Sequence, residues 1–159
     1  MKKRKIKNES KCKIFIHSKI PRRKIKMKAV SARATAGINL GAKMIATDNS
    51  GAKVVRIVSV KKGKGRKGKQ QAAKIGDWVK VSVKKGVPDM KGKVFDAVLI
   101  RQKKSWRRLS GERVAFEDNA VAILKDDKGN PKGTIIKGAI AREVMERWPQ
   151  VAKIASVVY

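Results

Sequence analysis

The sequence predicts a mainly β fold, in which six or seven short strands form a small closed or nearly closed barrel. Apolar runs rich in Val, Ile and Phe alternate with turn signals containing Gly, Asn and Asp along most of the 159 residues, a pattern typical of small barrels. From residue 140 onwards, apolar residues recur every four positions instead of every two. This period indicates a short amphipathic helix. A chain of this length can bury a substantial core in one domain.

The central stretch, residues 94–124, consists of two apolar runs separated by a basic segment that contains a Ser110-Gly111 turn signal. The apolar runs are predicted as buried strands, and the segment between them as a protruding cationic hairpin. Its candidate nucleic-acid contacts are Arg101, Lys103, Lys104, Trp106, Arg107 and Arg108. Trp106 either stacks on a base or ribose or packs within its own loop.

The first hairpin is predicted from residues 42–60. A strand over 42–47 leads into the turn 48–51, where Asn49 and Gly51 tolerate the left-handed backbone of a tight turn. In the second strand, 52–60, Val55 and Ile57 lie on one face and Arg56 on the other. Residues 27–40, which have few charges, are expected to form an extended lead-in or an edge strand.

A second basic element follows at residues 61–71, where glycines allow the backbone to approach phosphates closely. Its candidate contacts are Lys61, Lys62, Lys64, Arg66, Lys67 and Lys69. The loop contains a GxGxxG-like spacing, but a dinucleotide site requires a helix directly after it. Here a Gly76-Asp77 turn and a strand over 78–84 follow instead, so we reject that interpretation.

The carboxy end is predicted as a short last strand over 132–137 and a helix over 141–148, with Ile140, Val144, Met145 and Trp148 on one face. Glu143 and Arg147 have the spacing of a favourable ion pair within a helix. Pro149 ends this helix and can start a second helical turn through residue 154. The helix either closes one end of the barrel or also presents a surface to a partner.

The net charge of +30 is far above the range of about 2–8 units that suffices for a small soluble domain. A partner that neutralises this charge is therefore expected, and nucleic acid fits best. A membrane surface is disfavoured, because no long basic amphipathic helix and no transmembrane run is present. A DNA-packing protein that contacts phosphates without regard to sequence is the alternative to an RNA-binding protein.

Residues 1–26 form a separate basic segment, with 12 basic residues against the single acid Glu9. Such a block is expected to be disordered alone. Either it is an arm that folds against RNA, or Met27 is the true start of the protein.

Catalytic, metal and cofactor sites are not supported by the sequence. Cys12 and His17, the only residues of their types, lie in the basic amino-terminal segment, and together they cannot complete a zinc site or a nucleophile–base pair in the barrel. A single cysteine also permits no internal disulfide and fits a reducing compartment. The acidic pairs at 117–118 and 126–127 fall in turns, and a two-metal site would need acids that converge on one pocket.

From residue 27 onwards, the sequence resembles the universal large-subunit ribosomal protein fourteen family in its archaeal form. Asp48-Asn-Ser-Gly-Ala-Lys53 and the G-D-x-V-x-V-S-V run of 76–83 resemble the family's first turn and third strand. The family signature runs from residue 97 to 119: Ala-Val-Leu-Ile, a nine-residue spacer, Ser110-Gly111, Phe116 and Asn119. The segment 133–143 is similar to the family's carboxy-terminal region. One residue departs from the family pattern: Ala122 occupies a position where the family usually has Val.

The resemblance implies a five-stranded β-barrel with a protruding hairpin and carboxy-terminal helices. It implies a non-enzymatic cytoplasmic protein of the large ribosomal subunit that binds large-subunit rRNA and helps to form a bridge to small-subunit rRNA. Ribosomal protein three, an archaeal-type protein twenty-four and the anti-association initiation factor six are the implied protein partners. The residues expected to form or border the factor surface are Arg142, Glu143, Val144, Glu146 and Arg147.

Overall fold

The computed structural model describes residues 28–61, 63, 68 and 70–159. Its strands are β1 (Ala32–Arg33), β2 (Ile38–Asn39), β3 (Lys43–Ala46), β4 (Ala52–Val60), β5 (Ala72–Ala73), β6 (Trp78–Gly86), β7 (Val94–Arg101), β8 (Trp106–Arg108), β9 (Arg113–Val114), β10 (Ala120–Leu124), β11 (Ile136–Ile140) and β12 (Ala155–Val158). Two short helices, α1 (Arg142–Arg147) and α2 (Pro149–Ala152), lie between β11 and β12.

Five strands close into a barrel in the order β10-β3-β4-β6-β7. Neighbouring strands are antiparallel except β10 and β3, whose parallel pairing closes the barrel. The predicted barrel and its first hairpin are therefore confirmed. In β4, Val55 and Ile57 face the interior, whereas Arg56 and Val58 are exposed, as the alternating pattern indicates.

The strand β10 and the second half of β7 are buried on both faces. Residues 97–100 and all of β10 are 0–1% exposed. One face lies in the barrel interior, and the other packs against a second apolar cluster that includes Trp106, Val144 and Trp148. A strand covered on both faces needs no polar alternation, which explains the continuous apolar runs that predicted these two strands.

The carboxy end differs from the prediction in two places. Thr134, expected within the last strand, instead donates its backbone N–H to Asn49 Oδ1 at 2.7 Å, so 132–135 follows the turn after β3 and the strand begins at Ile136. The strand β12 was not predicted at all; it pairs in parallel with β11. Its Val157 and Val158 are 56% and 41% exposed, so no alternation marks it as a strand.

The helix α1 covers the outer face of the β7–β10 pair. Val144 and Trp148 are 0% and 4% exposed and belong to the second apolar cluster, and Trp148 meets Trp78 edge to face at 5.8 Å. Met145, expected on the same face, is 39% exposed. The helix therefore buries a narrower stripe than the one predicted.

Candidate nucleic-acid interface

The strands β8 and β9 form a hairpin that joins β1 in a three-stranded sheet beside the barrel. Trp106 and Val114 are opposite each other and buried. The Trp106 ring stacks on Phe116 at 6.0 Å, and its Nε1–H donates to Glu143 Oε1 at 2.9 Å. At 1% exposure this ring has no free face for a base. Trp106 therefore packs internally, which corrects its assignment as a nucleic-acid contact.

Arg108 and Glu143 connect the hairpin to α1. Arg108 Nε donates to Glu143 Oε1 at 2.9 Å, and its Nη2 donates to the Tyr159 carbonyl at 2.8 Å. Burial raises the pKa of Glu143, but the hydrogen bonds from Arg108 and Trp106 outweigh it, so the pKa lies below its ordinary value. Arg108 thus connects the hairpin to α1, and its assignment as a nucleic-acid contact stays a prediction.

The predicted factor-binding residues divide into buried and accessible ones. Val144 and Glu143 are 0% and 2% exposed, so Val144 offers no contact surface, whereas Glu143 borders the cleft between α1 and the hairpin turn. Arg147 does not pair with Glu143; it binds Asp77 at 3.0 Å and the Gly76 carbonyl at 3.3 Å. The ion pair with helical spacing is Arg142–Glu146 at 4.0 Å.

Within that group the accessible side chains are Arg142 and Glu146, at 68% and 29% exposure. They line a cleft of about 240 Å³ between α1 and the hairpin turn. Leu109, 82% exposed, lies on the other side of this cleft.

Arg101 anchors the base of the hairpin. Its Nε and Nη2 donate to the two carboxylate oxygens of Asp118 at 2.7 and 2.8 Å, and its Nη1 donates to the carbonyls of Lys137 and Ala139 at 3.1 Å. The bidentate pairing with Asp118 and the two carbonyl contacts engage all three guanidinium nitrogens. Arg101 therefore holds the hairpin against β11, and its assignment as a nucleic-acid contact stays a prediction.

Three of the predicted hairpin contacts remain available to a ligand. Lys103, Lys104 and Arg107 are exposed, and none of them forms an ion pair with a carboxylate of the described residues. The anchors on either side, Arg101 and Arg108, hold this segment in position. The hairpin thus presents free positive charge on a rigid support.

The basic loop 61–71 is described only in part. Lys61 is held at its base, where Nζ binds Asp96 at 2.7 Å and Asp127 at 3.0 Å and lies 3.6 Å from the centre of the Trp78 ring. Its assignment as a nucleic-acid contact stays a prediction. Lys62, Lys64, Arg66, Lys67 and Lys69 lie outside the described residues, and their role stays a prediction.

Two exposed arginines on the hairpin sheet, Arg33 and Arg113, were missed in the sequence. The alternation of Arg113 with the buried Val114 is a local signal that marks Arg113 as outward-facing. Arg33 carries no such signal, because it reaches the sheet through pairing with Arg107, which is distant in sequence.

Two features are absent from residues 28–61, 63, 68 and 70–159. No group of three or more His, Cys, Asp or Glu side chains in these ranges is arranged to hold a metal ion. Within the same ranges, none of the helices has the length and apolar character needed to cross a membrane.

These features define a class of protein: a basic β-barrel that carries unpaired cations on an anchored hairpin. Comparison with known proteins identifies the family. Residues 37–159 match the family model described as ribosomal protein L14p/L23e. The chain is 56% identical over 132 residues to the large ribosomal subunit protein uL14 of Nanoarchaeum equitans. It is 50% identical to the protein of that name from Methanothrix thermoacetophila. Each match covers 83% of this chain and 99% of the relative.

The chain belongs to the L14p/L23e family of ribosomal proteins, as the family signature indicated, and its relatives here are archaeal. It is accordingly a structural, non-enzymatic protein of the translation apparatus, located in the cytoplasmic ribosome.

Proposed function

We propose that this protein is a constituent of the large ribosomal subunit that binds large-subunit rRNA and helps to form a bridge to small-subunit rRNA. The proposal rests on three exposed cations, Lys103, Lys104 and Arg107. None of them has a carboxylate partner among the described residues. They extend from a hairpin that Arg101 and Arg108 anchor to the core. Charge on a rigid support binds a polyanion without the cost of ordering a loop.

The basic loop 61–71 and the amino-terminal segment 1–26 supply further cations in the same proposal. Neutralising each phosphate releases condensed counterions, so every contact steepens the salt dependence of binding by about 0.7 to 0.9 on a log–log scale. Phosphate contacts fix position but do not read sequence. The fold of the rRNA therefore determines which rRNA helix contacts the protein.

The cleft between α1 and the hairpin turn is the proposed protein contact. Arg142, Glu146 and the exposed Leu109 line it, and this mixture of charged and apolar groups suits a protein surface. Initiation factor six is the partner proposed for this surface, and ribosomal proteins three and twenty-four are the proposed neighbours. Reversing both charges, Arg142→Glu with Glu146→Arg, should weaken factor binding to the subunit, and unchanged binding would count against this part.

The rRNA function is tested by competition between RNA and DNA. The purified full chain is mixed with a labelled large-subunit rRNA fragment, and binding is measured while unlabelled fragment or duplex DNA of equal phosphate number is added. The proposal expects the rRNA fragment to compete at much lower concentration than DNA. Equal competition by both would favour a DNA-packing protein instead.

A further inference from the structure

The three-stranded sheet β1-β8-β9 carries an arginine in the same row of each strand. Arg33 in β1 is directly opposite Arg107 in β8, and Arg107 is directly opposite Arg113 in β9. Directly opposite residues in antiparallel strands point to the same face. All three side chains are exposed, so the outer face of the sheet has a continuous row of guanidinium groups, here called the arginine row.

The other face of the sheet packs against the rest of the fold and is fixed. Trp106 and Val114, the neighbours of Arg107 and Arg113 along their strands, are buried. Slipping a strand by one residue would bury the arginines and expose the tryptophan. The hydrogen bonds of Trp106 and Arg108 to Glu143 further secure this register. The arginine row is therefore a built feature of the fold and does not depend on a flexible loop.

The row is electrostatically unfavourable in the free protein. Adjacent strands are about 4.8 Å apart, and like charges directly opposite each other on a sheet are destabilising. None of the three arginines pairs with a carboxylate of the described residues. Every other arginine of the described residues lies against a carboxylate or a carbonyl, as Arg101 and Arg108 do.

We propose that the arginine row is an RNA phosphate-binding site in which Arg33, Arg107 and Arg113 neutralise successive backbone phosphates. This inference rests on the proposed rRNA function and assigns it to a defined face. Guanidinium groups suit the site because their planar donors bind phosphate oxygens bidentately. The row spans about 10 Å across the three strands, so the RNA backbone crosses the strands instead of running along the hairpin.

The test compares two triple variants of the full chain that remove the same charge. One carries Arg33→Gln, Arg107→Gln and Arg113→Gln. The control carries Lys53→Gln, Lys84→Gln and Lys125→Gln, which are exposed residues elsewhere on the described surface. A third variant replaces the three arginines with lysine and keeps the charge. Binding to a large-subunit rRNA fragment, a small-subunit rRNA fragment and duplex DNA is measured from 0.05 to about 0.3 M salt.

The arginine-to-glutamine variant should reduce the slope of log affinity against log salt by about 2 to 3, and the control should reduce it by less than about 1. The lysine variant should keep the slope of the original chain. The glutamine variant and its control should differ in slope for only one of the two rRNA fragments. That fragment, from the large or the small subunit, is the RNA that binds the arginine row. Since three like charges are removed, the melting temperature of the free glutamine variant should stay unchanged or rise.

Equal slope changes in the glutamine variant and its control would overturn the arginine row as a site, although the rRNA function would stand. If the unmodified chain binds neither RNA better than DNA, the proposed function itself fails, and the row fails with it. A fall in melting temperature on removing the arginines would show that they support the sheet, and would also contradict the proposal.

Discussion

Glu143 is the acid on which both the hairpin and α1 depend. It is 2% exposed and accepts hydrogen bonds from Trp106 and Arg108 through the same oxygen, Oε1. Replacing it with Gln leaves Arg108 without its counter-charge, and breaking such a buried pair typically costs about 3 kcal/mol. We therefore expect Glu143→Gln to lower the free energy of unfolding by about that amount, measured by urea denaturation at pH 7. Glu117→Gln, at an exposed acid, is the control and should change little.

The same carboxylate gives a pH dependence of known sign. The pKa of Glu143 is lower in the folded chain than its ordinary value of 4.5, so folding favours the ionised form. Its contribution to stability is complete above pH 4.5 and is lost as the pH falls through the lower folded-state pKa. Denaturation at pH 7 and at about pH 3 should show a smaller acid-induced loss in Glu143→Gln than in the original chain. An equal loss in both would contradict this assignment.

Arg107 and Arg108 are neighbours in sequence with opposite roles. Arg107 is exposed and unpaired among the described residues, whereas Arg108 binds Glu143 and the Tyr159 carbonyl. Arg107→Ala should lower the slope of log affinity for rRNA against log salt by about 0.7 to 0.9 with little loss of stability. Arg108→Ala should instead destabilise the fold by about 3 kcal/mol. Paired salt titrations and urea denaturation of the two variants check both statements, and equal effects on binding would contradict them.

Among the elements, those with local signals were predicted and those defined by distant contacts were not. The alternation in β4 and the continuous apolar run in β10 are visible in the sequence, and with the other short strands they predicted a closed or nearly closed barrel. The strand β12 is exposed and has no such pattern, because its stability comes from pairing with β11.

Composition likewise identified the basic hairpin but could not separate free cations from paired ones. The carboxylates that bind Arg101 and Arg108 are 17 and 35 residues away.

The strand β12 secures the carboxy end through its backbone. The strand pairs with β11, and the main-chain oxygen of Tyr159, the residue after it, accepts hydrogen bonds from Arg108 and from the backbone N–H of Arg142. Removing residues 155–159 should therefore cost at least about 2 kcal/mol, which corresponds to a fall in melting temperature of about 4–8 °C. Tyr159→Ala keeps the backbone acceptor and removes only the ring, so its melting temperature should fall less. A truncation no worse than this control would show that β12 adds nothing through its backbone.

At the scale of the whole molecule, the charge of +30 sets the response to salt. The 42 basic residues greatly outnumber the 12 acids, so repulsion between unpaired cations outweighs the attraction within the ion pairs. Screening shortens the reach of exposed charges from about 30 Å at 0.01 M to about 10 Å at 0.1 M salt. The melting temperature of the free protein should therefore rise over this range. The arginine-to-glutamine variant, with three fewer charges, should show a smaller rise, because less repulsion remains to be screened. A melting temperature that falls with salt would mean instead that the ion pairs dominate the electrostatics of the free protein.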